Sequence, residues 1–182
     1  MSVYSNRSID PPEERAQYSR AVLALLGDRD PIAVLRDTPG ALVRAIDDLT
    51  PAQLRTPEAP GKWSVTHVLA HLADSDLVWG WRVRLILAQD RPTITGYDQD
   101  LWSEKLRWAD ADPRDALTTF GVLRRGNLRL IERATPEDLQ RVGVHSERGE
   151  ESIEHLIGLY AGHDLLHLRQ VDRIRAVVSP KS

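Results

Sequence analysis

The chain has 182 residues, 41% hydrophobic and 28% charged, enough for one domain whose core needs neither disulfides nor a structural metal. Its net charge of −3 argues against a nucleic-acid or anionic-membrane partner, and no run of about 18 apolar residues exists to span a bilayer. There is no cysteine, which removes disulfides, thiolate metal sites and thiol catalysis by the protein itself, and fits a cytoplasmic location.

Residues 1–11 read as a loose arm without the apolar core of a secretory signal, and residues 12–182 as a single domain. "PPEERAQYSRAVLALLGD" predicts a first short helix, with Pro12 in its opening turn and Gly27 near its end. "DPIAVLRDTPGALVRAIDDLT" carries two start signals, Asp30-Pro31 and Thr38-Pro39, and predicts a helix with a break or bend before Pro39. "PEAPGKW" is a loop. Ser64 then caps a long helix whose apolar positions Val65, Val68, Leu69, Leu72, Trp79, Val83 and Ile86 fall at helical spacing. "DRPTITGYDQD" reads as a loop and "DLWSEKLRW" as a short helix. Asp112-Pro113 starts a further helix, Thr135-Pro136 opens one more turn, and "RVGVHSERGEES" is a loop or short hairpin. The last long helix runs from about Ser152 to Val178. With period-2 β-branched runs missing, the expected fold is all-α: a four-helix bundle with additional short helices.

Four of the six histidines form two i,i+4 pairs, His67 with His71 and His163 with His167, where chance placement gives well under one such pair. Residues four apart share one helix face, so a pair can reach a single metal ion. In the last helix Leu156, Tyr160, His163, His167, Val171 and Ile174 trace a core-facing stripe, and two buried imidazoles in its middle need partners for four ring nitrogens. A shared metal would take one nitrogen of each ring and leave one each for a hydrogen bond; the plainer alternative is a hydrogen-bonded core pair. His71, bordering Val68, Leu72 and Ser75, is the best third ligand, and His67 is the more doubtful one. Three neutral imidazoles leave a coordination position open, the catalytic pattern. "HDLLH" has Asp164 where a zincin has Glu and no later histidine, and the inward Glu-x-x-His pairs of a di-iron bundle are missing.

Three segments carry a family likeness. "KWSVTHVLAHLADSD", "YDQDLW" and "GHDLLHLRQVDRIR" resemble, in this order, segments of DinB/YfiT-like proteins. The resemblance implies a four-helix bundle binding one divalent metal, zinc or nickel, through His71, His163 and His167, and a homodimer. It also implies one of three activities: transfer to a bacillithiol-like low-molecular-weight thiol, mycothiol-dependent isomerisation, or metal-dependent hydrolysis.

Around this trio the expected pocket or supporting residues are His67, Asp74 and Asp164, the two carboxylates as acceptors for ligating imidazoles, with Tyr97 and Trp102 over the pocket opening. His155 reads as a pocket wall and His145 as a loop residue. Arg82, Arg84, Arg124, Arg125 and Arg129 read as a charged outer face in preference to an anion pocket. The expected activity is metal-dependent S-transfer from a low-molecular-weight thiol to a small-molecule substrate. Hydrolysis by metal-activated water is the alternative, and a non-enzymatic metal-binding stress-response protein is the third reading.

Overall fold

An Asp-Pro or Thr-Pro pair sets four of the helix starts. Proline at the first helical position wastes no hydrogen bond, and the preceding side chain accepts an amide the helix cannot use. Asp30 does this for α2 (Pro31–Ile46), Thr50 for α3 (Pro51–Arg55), Asp112 for α6 (Pro113–Ile131) and Thr135 for α7 (Pro136–Leu139). Asp98 starts α5 (Gln99–Lys105), and Ser152 starts α8 (Ile153–Val178) by accepting the amide of His155. The computed structural model describes residues 12–180, with side chains from residue 17; the arm read at residues 1–11 lies outside the described residues. The remaining helices are α1 (Pro12–Leu26) and α4 (Val65–Ala88).

The long helices α2, α4, α6 and α8 enclose the core, α4 packing on α6, α6 on α2, α2 on α8 and α8 on α4, while α1 lies against α8. Two glycines set the closest approaches. A Cβ at Gly162 would stand 2.1 Å from the Val22 carbonyl oxygen, and one at Gly80 would stand 2.2 Å from Asn127 Oδ1. No helix among the described residues is long and apolar enough to cross a membrane.

The expected all-α fold carries a small sheet in the order β1 (Thr93–Ile94), β2 (Val142–His145), β3 (Gly149–Ser152). β1 pairs parallel with β2, and β2 antiparallel with β3, so "RVGVHSERGEES" is a hairpin and "DRPTITGYDQD" contributes an edge strand rather than only a loop. His145, read as a loop residue, is a buried position of β2. The hairpin turn places Glu147 and Arg148 in the wall of a cavity.

The break expected before Pro39 does not occur: α2 is continuous through it. Proline has no N–H to offer the carbonyl four residues back, so the Leu35 oxygen is left without its helical donor. Arg124 Nη1 occupies that vacancy at 2.9 Å. The same guanidinium donates through Nε to Asp76 Oδ1 at 2.9 Å and through Nη2 to Asp164 Oδ1 at 3.0 Å, with Nη1 also on Asp164. It lies over the Phe120 ring at 4.6 Å. Asn127 adds a bond to the Asp76 carboxylate at 3.1 Å. Arg124 is 1% exposed, so the outer-face reading fails for it, and for Arg82 at 5%, whereas Arg84, Arg125 and Arg129 are exposed as expected.

Arg124→Met should therefore leave two carboxylates buried without their cation and cost about 3–5 kcal/mol. Urea unfolding of variant and wild type measures this; a loss under about 1 kcal/mol, the scale of an exposed pair, would mean that the cluster is not holding the bundle.

Candidate metal centre

His71 projects from α4, and His163 and His167 from α8, at the level where these helices face each other. The Nε2 atoms of His71 and His163 lie 3.0 Å apart and those of His163 and His167 3.1 Å apart. The three residues offer ligand atoms within 4.8 Å of one another, and all three side chains are buried. They are the one such group of three among the described residues.

The rings are held mostly by packing. Trp63 and Trp108 stand 5.1 and 5.3 Å from the His71 ring, and Tyr160 stands 6.0 Å from that of His163. Only His167 has a hydrogen-bonded second nitrogen, its Nδ1 donating to Gln170 Oε1 at 2.8 Å, while Nδ1 of His71 and His163 are buried with no protein partner. Burial pushes all three imidazoles well below the ordinary histidine value, His163 to about 3 with Arg124 adding to the effect, so they are neutral at pH 7.

Neutral rings in this arrangement cannot satisfy one another. With Nδ1 bonded to Gln170, His167 carries its proton there and turns a bare lone pair toward His163. His163 can offer at most one Nε2 proton, yet it has two Nε2 neighbours. A cation at the centre would accept three lone pairs at once, and buried neutral imidazoles are the donor set that zinc or nickel takes. The residues present therefore fit a divalent metal.

The residues expected around the trio take other tasks. Asp164 gives its carboxylate to Arg124, because one residue of offset turns it about 100° around the helix from His163. Asp74 accepts from Trp108 Nε1 at 2.8 Å, so it holds the tryptophan against His71 and not the imidazole itself. His67 closes the first turn of α4: its Nδ1 accepts from the Ser64 hydroxyl at 2.9 Å and from the Ser64 amide at 3.4 Å. His155 sits in the first turn of α8, its amide bonded to Ser152 and its side chain outside the cavity. Gln170, three residues after His167 and so on the same face, makes the contact assigned in the sequence to the carboxylates.

A narrow cavity opens onto His71 and His163, lined further by Tyr18, Ser75, Arg82, Tyr97, Arg148 and Tyr160. Tyr97 Oη pairs with Ser75 Oγ at 3.1 Å, and Trp102 backs the Tyr97 ring at 4.3 Å. Burial raises the hydroxyls of Tyr97 and Tyr160, which stay protonated as donors or acceptors for a bound molecule. Tyr18, Ser75, Arg82, Arg148 and Tyr160 are wall residues that the sequence reading did not assign to the site. For Ser75 and Arg82 the available signal was the spacing from His71 on α4, at steps of four and seven, and for Tyr160 its place three residues before His163 on α8.

Known proteins resemble the chain along most of its length. It is 32% identical over 144 residues to the Bacillus subtilis (strain 168) protein named "Putative metal-dependent hydrolase YfiT", covering 79% of this chain and 81% of that protein. A Bacillus mycoides (strain KBAB4) protein of the same description is 33% identical over 144 residues, covering 79% and 83%. The solved structure of B. subtilis YfiT, described as "a probable metal-dependent hydrolase with an unusual four-helix bundle topology", superimposes with a TM-score of 0.74 at 28% identity, covering 94% of this chain and 91% of that one. The DinB superfamily pattern matches residues 35–171, a span that holds α4, α6, the three clustered histidines and the Arg124 cluster; the chain belongs to the DinB superfamily.

Proposed function

We propose that the protein is a metal-dependent enzyme in which His71, His163 and His167 hold one divalent cation, zinc or nickel, at the inner end of the cavity. The observation carrying this reading is the convergence of three buried, neutral Nε2 atoms that have no way to satisfy one another. When bound, the cation would supply Lewis acidity, lowering the pKa of a small nucleophile from solution and polarising the group it attacks. Gln170 fixes the His167 ring so that Nε2 faces inward, and Trp63 and Trp108 close the flank of His71 against water. Ser75, Tyr97 and Tyr160 offer hydroxyls along the cavity to orient a substrate.

Asp74 and Asp164 are engaged by Trp108 and Arg124, so neither stands ready to take a proton from water. This favours a nucleophile that ionises without a carboxylate base, a low-molecular-weight thiol, whose sulfur displaces a leaving group from an electrophile. The second reading, hydrolysis of an amide or ester, has the descriptions of the relatives behind it.

Zinc-loaded protein given bacillithiol and monochlorobimane is expected to form the S-conjugate at a rate proportional to protein and lost in His163→Ala. Thiol-independent cleavage of p-nitrophenyl esters would assign hydrolysis in its place. Neither reaction with any thiol or ester tried, from fully metal-loaded protein, would contradict the enzymatic reading.

His163→Ala should lose metal binding while keeping its far-UV helicity. Gln170→Ala should weaken metal affinity by about 10–100-fold, as loss of a ring-orienting partner does. Competition with a chelator measures both, and unchanged affinity in His163→Ala would remove it from the ligand set.

The buried histidines also set a pH dependence. Each would be protonated in the unfolded chain below about 6.5 but stays neutral in the fold, so the unfolded state binds more protons. Stability of the metal-free protein should therefore fall as pH is lowered from about 6.5 toward 4. Asp76, raised to about 6 chiefly by burial, and Asp74, also raised by burial, oppose this, since their protonated forms favour the fold as pH drops. Three deeply buried histidines outweigh two carboxylates, and a rising urea midpoint on acidification would contradict the assignment of neutral rings.

A further inference from the structure

Arg82 lies on the α4 face that carries His71 and Ser75 into the cavity, and it is buried. Nη1 donates to Tyr160 Oη at 3.3 Å and Nη2 to the Thr95 carbonyl at 2.5 Å. Both acceptors are uncharged. Nε is buried with no acceptor at all.

No carboxylate among the described residues pairs with Arg82. Glu151, on β3, is spent on the neighbouring Arg148, which it grips through both oxygens at 2.6 and 2.9 Å. Glu147, the other acid of the wall, lies against Gly96. The contrast with Arg124 is instructive. That guanidinium is buried too and is bonded to two carboxylates, whereas Arg82 is bonded to none among the described residues.

Glu151 acts on Arg82 only through space while bonded to Arg148, so two guanidiniums share that carboxylate, and a buried guanidinium with no carboxylate bonded to it is costly unless something else uses it. Its planar fork binds a carboxylate or a phosphate through paired bonds, and its single charge balances that of one carboxylate. The narrow cavity is lined by this guanidinium, by Ser75, Tyr97 and Tyr160, and by His71 and His163.

We propose that the cavity takes a small carboxylate-bearing molecule, its carboxylate on Arg82 and its chain directed past the three hydroxyls toward the histidines. The anchor stands on the Arg82 geometry alone; only the placement of the ligand's other end at a reacting centre rests on the metal-enzyme reading.

Calorimetric titration with straight-chain carboxylates from acetate to octanoate, each against its own amide, tests the anchor. Full-length wild type is titrated zinc-loaded and metal-free, with metal content measured separately. At least one acid should bind about tenfold or more tighter than its amide in both forms, the scale of one charged hydrogen-bonded pair. Arg82→Gln should abolish the preference while keeping metal content and helicity, and Arg82→Lys should keep part of it. The comparison of acid and amide on wild type needs no variant to fold. Equal binding of acid and amide across the series would overturn the proposal. So would a preference that persists in Arg82→Gln, which would place the carboxylate on the cation or on Arg148. Acid preference in a protein that takes up no metal would leave the anchor standing and remove the metal reading; metal uptake without acid preference would do the reverse.

Discussion

Arg124 reaches from α6 to Asp76 on α4, to Asp164 on α8 and to the Leu35 carbonyl on α2, so one buried guanidinium joins all four helices of the bundle. The third of these bonds exists because Pro39 removes the donor that Leu35 would otherwise have. Asp76 follows the cavity residue Ser75, and Asp164 follows His163, so the cluster sits directly behind the histidine-bearing surface of both helices. The relative height and rotation of α4 and α8 determine whether three imidazoles from two helices meet. A charge cluster with fixed fork geometry constrains both, where apolar packing alone tolerates sliding.

The rings themselves are positioned by a second, softer device. Trp63 and Trp108 pack on His71, Asp74 holds Trp108, and Gln170 holds His167. Aromatic walls exclude water from the nitrogens and keep them neutral, the state in which imidazole ligates. Burial and ligand readiness are thus one property. The cavity itself is lined by polar groups, the Ser75, Tyr97 and Tyr160 hydroxyls and Arg82, whose Nε is buried without an acceptor.

Most of the bundle was legible in the sequence because its helix starts are written as Asp-Pro, Thr-Pro and Ser signals and its cores as 3–4 spacing. The sheet was not, since strands of two to four residues are too short to display a period of two. The histidine pairs stood out by spacing, but the partners of their rings did not. Chain neighbours such as Asp164 point about 100° away on a helix, while Gln170, at i+3, shares the face. His67 was half of a striking-looking i,i+4 pair, yet its position at the third residue of α4 gives it to the helix start. Arg82 and Arg124 were lost among surface-like arginines. Charge reads as solvent-facing until tertiary packing supplies the partner, which for Arg82 is a pair of uncharged oxygens.

The most direct measurement is elemental analysis of untagged full-length protein purified without chelator. The account predicts a single zinc or nickel ion per chain, bound tightly enough to survive gel filtration. Protein that remains free of metal, even after incubation with zinc, nickel, cobalt and manganese, would show that the three imidazoles form a polar core network, and would contradict the metal centre on which the proposed chemistry depends.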